Sequence, residues 1–134
     1  MKKLIILLAS TVFIFSGCTK SDSKSVSQAT LTAHTWMPTA KYVNGADQNI
    51  GDCVKDDTYK FQTGGAFVFD EGPTKCNATD PQSGTANWTL SGNSCTLSSG
   101  GQSSVYTITS LDDSKLDMNA NVNGQNERLV FRAQ

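Results

Sequence analysis

The sequence predicts an all-β domain, an eight-stranded antiparallel up-and-down β-barrel. Three observations carry that expectation. The stretch from Cys53 to Cys76 reads as one β-hairpin, with Tyr59-Lys60-Phe61-Gln62 and Ala66-Phe67-Val68-Phe69 alternating on either side of Thr63-Gly64-Gly65. Short alternating segments then recur to the end of the chain, each set off by glycine, asparagine or aspartate turn signals. No long segment of 3.6-residue period offers the crossover helix that a parallel sheet requires. Sequential strands joined this way can close into a barrel, which removes the edges an open sheet exposes. A two-sheet sandwich competes, because the same alternation fills it, but short consecutive turns favour the meander.

Each element follows in order. Leu31 to Trp36 reads as one helical turn leading to a first strand, Thr39–Val43, that stops at Asn44-Gly45. The hairpin supplies the second and third strands. A three-residue turn sets Phe61 opposite Phe67 and Tyr59 opposite Phe69, all on one face. A two-residue turn would set Phe61 against Val68 and Tyr59 against Asp70, so the three-residue register is expected. It leaves Cys53 and Cys76 about one position out of opposition, which irregular flanks must absorb. Thr85–Leu90 is the fourth strand, placing Ala86, Trp88 and Leu90 on one face, and Ser91-Gly92-Asn93 turns it into Ser94–Leu97, where Cys95 and Leu97 share a face. Gly100-Gly101 leads into Ser104–Thr109, Asp112-Asp113 precedes Lys115–Asn119, and Asn123-Gly124 turns the chain into the last strand, Glu127–Arg132.

The amino terminus has a different character. Met1-Lys2-Lys3 precedes a short apolar run from Leu4 to Phe15, too short to span a bilayer comfortably and typical of an export signal. It ends in Phe15-Ser16-Gly17-Cys18, which resembles the lipobox of bacterial lipoproteins. That resemblance implies a signal peptide over residues 1–17 and Cys18 as the lipidated first residue of the mature protein. Residues 18–30 then form the lipidated cysteine and a flexible serine-rich tether, and residues 31–134 the barrel domain. Thr19 after the lipid cysteine, rather than an acidic residue, favours the outer membrane by analogy with other lipoproteins, with the domain facing the periplasm or the cell surface.

Removing Lys2 and Lys3 leaves nine basic residues against twelve acidic ones, a net charge of −3. No basic patch survives to track a phosphate backbone, so nucleic acid is not an expected partner. Export permits disulfides. With Cys18 committed to lipid, the hairpin brings Cys53 to Cys76, and Cys95 is left as a buried thiol behaving as a small hydrophobe. The sharper alternatives are a bridge from Cys95 to a second chain, or Cys95 as an alternative partner for Cys53 or Cys76. No C-x-x-C pair suggests redox chemistry.

The inward face collects the candidate ligand-pocket residues: Tyr59, Phe61, Phe67, Phe69, Trp88, Leu90, Leu116, Met118, Leu129 and Phe131, with Tyr59 and Tyr106 as polar handles. These residues either pack the barrel solid or line a cavity, and a void of roughly 300 Å³ or more would favour binding. Asp52, Asp56, Asp57, Asp70 and Glu71 gather at the hairpin base. Hard oxygens of that kind suit Ca²⁺, but Asp47–Asp52 has its glycine one place early and no acidic residue ends the loop, so turn-capping is the expected role. No zinc set, Ser-His-Asp set or phosphate loop is visible, and neither catalysis nor a cofactor is expected.

The lipobox, Leu31 and Trp36, the stretch Cys53-Val54-Lys55-Asp56-Asp57-Thr58-Tyr59-Lys60-Phe61, then Gly65, Phe67, Phe69-Asp70-Glu71-Gly72, Cys76, Asn87-Trp88 and Tyr106-Thr107-Ile108 resemble the bacterial lipocalin-like lipoproteins, best known from the Bacteroidota. The resemblance implies an eight-stranded barrel open at one end that takes a small hydrophobic or amphipathic molecule. It also implies a structural floor in which an arginine of the last strand, Arg132 or Arg128, lies across Trp36. His34 stands where lipocalins often carry glycine. The alternative is a non-enzymatic accessory lipoprotein whose packed barrel docks onto a protein partner.

Overall fold

The structure, a computed structural model, describes residues 25–134; the expected signal peptide, Cys18 and most of the tether lie outside the described residues. Its elements run α1 (Gln28–Ala33), β1 (Trp36–Val43), β2 (Ala46–Asp47), α2 (Asp52–Lys55), β3 (Thr58–Phe61), β4 (Ala66–Asp70), β5 (Ser83–Ser91), β6 (Ser94–Ser99), β7 (Gln102–Leu111), β8 (Lys115–Val122) and β9 (Gln125–Ala133).

From β3 to β9 each strand pairs antiparallel with the next, and β9 returns to β1 over the length of that strand, from Trp36↔Ala133 to Val43↔Glu127. β1 meets β3 at the single pair Trp36↔Tyr59, and that contact closes an eight-stranded antiparallel barrel. Beyond it β1 and β3 diverge, and the two-residue β2 folds back on β1 through Tyr42↔Asp47 and Val43↔Ala46. This stub makes nine strands in the sheet and lies outside the ring. Asn44 and Asn123 adopt φ of 50° and 52°, each followed by a left-handed glycine, as a two-residue hairpin turn with the twist of its strands requires.

The hairpin has the three-residue register, Phe61↔Phe67 and Tyr59↔Phe69. Gly64 and Gly65 both have positive φ, so the loop turns without Cβ strain. The flanks absorb the offset of the cysteines by a one-turn helix, α2, that the alternation did not foretell. It carries Cys53 to within a Cα–Cα distance of 5.1 Å of Cys76.

Two boundaries differ from expectation. Helix α1 begins at Gln28, three residues before the anticipated domain start, because Ser27 caps it by accepting from the Thr30 N–H at 3.3 Å. Leu31 is fully buried and Val26 packs on the core, so the apolar content of this segment is enough to dock it. The first strand starts at Trp36, not Thr39. Pro38 pairs with Phe131 in the ladder, and the register then shifts between Pro38 and Ala40, a bulge at Thr39.

The barrel has two distinct ends. At the floor, α1 caps the start of β1 together with the β3–β4, β5–β6 and β7–β8 turns. At the mouth lie the disulfide-linked loops on either side of β3–β4 and the β6–β7 and β8–β9 turns.

Candidate functional site

Inside the barrel is a cavity of about 100 Å³. Its wall includes Tyr59, Phe61, Phe67, Tyr106, Leu116, Met118, Leu129 and Phe131, eight of the predicted pocket residues. The alternation of β3, β4, β7, β8 and β9 puts them there, since residues two apart share one face. Phe69, Trp88 and Leu90 do not line it. Phe69 leans on the Tyr59 ring, with centroids 5.3 Å apart. Trp88 is held at the floor, donating its indole N–H to the Gln62 carbonyl at 3.0 Å and meeting Phe61 edge-on at 5.3 Å. Leu90 sits beyond it on β5, opposite Cys95. Trp36 and Leu97 take part in the wall instead. Leu97 was legible as the partner of Cys95 in alternation. Trp36 was placed at the floor and serves both roles.

Two phenols, Tyr59 and Tyr106, belong to this wall. Burial pushes Tyr59 up to about 12, with the Asp57 and Glu71 carboxylates adding to the shift. Burial also raises Tyr106, helped by Glu127. Both are neutral hydroxyls at any physiological pH and can donate a hydrogen bond to a guest.

The floor is built differently from the arginine–tryptophan arrangement. Trp36 is fully buried and its indole N–H reaches the Leu31 carbonyl at 2.9 Å. The ring beside it is His34, edge-on with centroids 5.5 Å apart, and the His34 Nε2 lies 3.4 Å from an Asp113 carboxylate oxygen. Arg132 pairs in register with Met37 and directs a guanidinium nitrogen to the Met37 sulfur at 3.2 Å, on the outer face. Alternation explains this correction: Phe131 and Ala133 point inward, so Arg132 points out. Arg128, the other choice, lies over Tyr42 at 5.3 Å and grips Asp117 through Nε and Nη2. Asp117 is buried, and the Arg128 hydrogen bonds hold its carboxyl below the usual range, with Lys115 assisting.

Cys53 and Cys76 form a disulfide across the mouth. The acidic residues nearby crowd Asp57 without forming a cation site: among the described residues, no group of three acidic, histidine or cysteine side chains is placed to hold a metal ion. Asp52 pairs with Lys55 at 3.1 Å, Asp56 accepts from the Thr74 N–H at 2.9 Å, and Asp70 accepts from the Gly72 N–H at 2.8 Å. Gly72 has φ of 68°, and a Cβ there would strike the Asp56 carbonyl, so only glycine lets this loop pass. Asp57 is buried with one carboxylate oxygen lacking a partner. Burial, then Glu71, Asp56 and Asp70, push it up to about 6. Cys95 is a buried free thiol, pushed up to about 11 by burial, and so is a poor nucleophile.

A second space of about 190 Å³ opens at the mouth between β6 and β7, lined by Ala86, Leu97, Ser98, Ser99, Gln102, Ser103, Ser104 and Tyr106. None of the sequence expectations included the serines, because short polar strand ends read equally well as solvated surface.

No curated protein matches the chain. A family model, the lipocalin-like domain, matches residues 32–118, from α1 through the cavity-lining part of β8. The closed antiparallel barrel with its internal apolar cavity and that match agree, and the chain belongs to the lipocalin-like domain family.

Proposed function

We propose that this protein is a lipid-anchored binding protein of the outer membrane whose barrel receives a small hydrophobic or amphipathic molecule. The observation that carries the reading is the apolar cavity with two neutral phenols in its wall. Such sites are mostly apolar with a few polar groups that orient the guest. The cavity alone is smaller than the ~300 Å³ typical of drug-sized ligands. Its occupant is therefore compact, a ring or the end of a short chain, or it extends into the mouth. Anchoring rests on Cys18 and the apolar leader before it, and several acyl chains on one residue would hold the domain stably at a membrane. No catalytic step is part of this reading.

Native mass spectrometry of the full chain, purified gently from its own membranes, tests the binding. A small molecule that co-purifies and is released on denaturation is the expected result. An apo mass with no uptake from a mixture of lipophiles would overturn it. Labelled fatty acid incorporated into wild type but not into Cys18→Ala tests the anchor.

The modest cavity favours a second reading, a packed accessory barrel that docks onto a protein partner. The apo outcome would select it.

A further inference from the structure

We infer that the guest carries an uncharged, hydroxyl-bearing head, seated in the serine- and glutamine-lined space between β6 and β7 while its apolar end fills the barrel. This rests on the binding role proposed above and specifies the ligand class. Leu97 and Tyr106 line both spaces, so the cavity and the mouth adjoin at these two side chains. Together their volumes, about 100 and about 190 Å³, come close to the lower end of small-molecule sites, ~300 Å³.

The β6–β7 register lays a polarity gradient across this junction. Cys95 pairs with Tyr106, Leu97 with Ser104, and Ser99 with Gln102. Paired residues share a face, so the inward row runs from a buried thiol, through Leu97 and the Tyr106 ring, to Ser104 and then Ser99 and Gln102 at the rim. Hydroxyls and an amide both donate and accept hydrogen bonds, which suits alcohols, esters and glycerol-like groups.

Charge argues against an anionic head. None of the residues lining either space is charged. Lys41 pairs with Leu129, a cavity residue, and thus faces inward too, but its ammonium is held by Glu127 at 3.1 Å. The same end of the barrel carries Asp56, Asp57, Asp70 and Glu71. A carboxylate seated in either space would lose water with no cation in the lining to meet it, which is unfavourable.

Calorimetry and Trp36 emission of the purified full chain, titrated with hexane, 1-hexanol, 1-monohexanoylglycerol and hexanoate at neutral pH, test this. The alcohol and the glycerol ester are expected to bind at least about tenfold more tightly than hexanoate. Replacing Gln102 and Ser104 together by alanine, at exposed positions that do not threaten the fold, should weaken the glycerol ester about fivefold and leave hexane unchanged. Ser104→Lys should raise hexanoate affinity. Hexanoate binding as tightly as the alcohol, or head-group affinities untouched by these substitutions, would overturn the head assignment while the cavity reading stands. Failure of all four probes, hexane included, would overturn the cavity reading and this inference with it.

Discussion

Trp36 donates its indole N–H to the Leu31 carbonyl at 2.9 Å, and both residues are fully buried. This contact seals the floor, joining α1 to the strand that closes the barrel. Trp36→Phe keeps an aromatic side chain but removes the N–H and part of the buried ring, orphaning the Leu31 carbonyl, and should cost at least about 1–3 kcal/mol. Leu31→Ala removes the plug and should cost about 2–5 kcal/mol. Urea unfolding measures both, and a neutral Trp36→Phe would show that the floor hydrogen bond contributes nothing.

The disulfide closes a loop with a sequence separation of 23. Replacing Cys53 and Cys76 together by serine should lower stability by about 3 kcal/mol, the value the chain-entropy account assigns to such a loop. Because the bridge lies at the mouth and the Leu31–Trp36 contact at the floor, the two losses should add in a combined variant. Strong non-additivity would mean that the two ends of the barrel are coupled.

Asp57 makes stability depend on pH. Its folded carboxyl, pushed up to about 6 from 3.8, holds a proton more tightly than in the unfolded chain. Its contribution is therefore fully present below the unfolded value, declines as pH rises through the folded one, and is level above that. Asp57→Asn removes the penalty. It should match wild type near pH 4 and exceed it by about 1–2 kcal/mol, several degrees in Tm, at pH 8. Equal melting temperatures at pH 8 would show that Asp57 ionises in place without strain.

The two arginines of β9 should separate cleanly. Arg128→Ala leaves the buried Asp117 carboxylate with Lys115 alone, 3.3 Å away, and should lower the melting temperature at neutral pH. Asp117 titrates below its unfolded value, so this loss should shrink as pH falls through the carboxylate range. Arg132→Ala removes an exposed contact to Met37 and should stay within ~0.5 kcal/mol. Equal effects would show that the Arg128–Asp117 contact contributes no more than the exposed Arg132–Met37 contact.

Cys95 should be silent in the native state. In a Cys18→Ala chain a thiol reagent at pH 8 should find one reactive group only after denaturant is added, since the thiol is buried and pushed up to about 11. Rapid native labelling would show that β6 opens locally.

Several features of the candidate site were legible because they follow from neighbours in the chain. The aromatic pairing of Tyr59 with Phe69 and Phe61 with Phe67 came from alternation about a three-residue turn. So did the approach of Cys53 to Cys76. The partner of Trp36 was not legible, because Arg128 and Arg132 lie four apart on β9, and only the register with β1 and β8 shows what each one meets. The serine row at the mouth was missed for a related reason. Ser99 and Gln102 carry no apolar signal, and only their position across the β6–β7 hairpin, above Leu97 and Tyr106, gives them a shared interior face.

By itself the sequence determined the class of fold, the hairpin register, the disulfide and most of the inward-facing wall. Each depends on period-two alternation and turn chemistry, which act over a few residues. The tertiary structure alone decided that β1 meets β3 at the single pair Trp36↔Tyr59, that the cavity measures about 100 Å³, and that a polar space adjoins it at the mouth. Those properties are differences between the volume a closed ring encloses and the side chains that fill it. Strands far apart in the chain set that difference together, so no local pattern contains it.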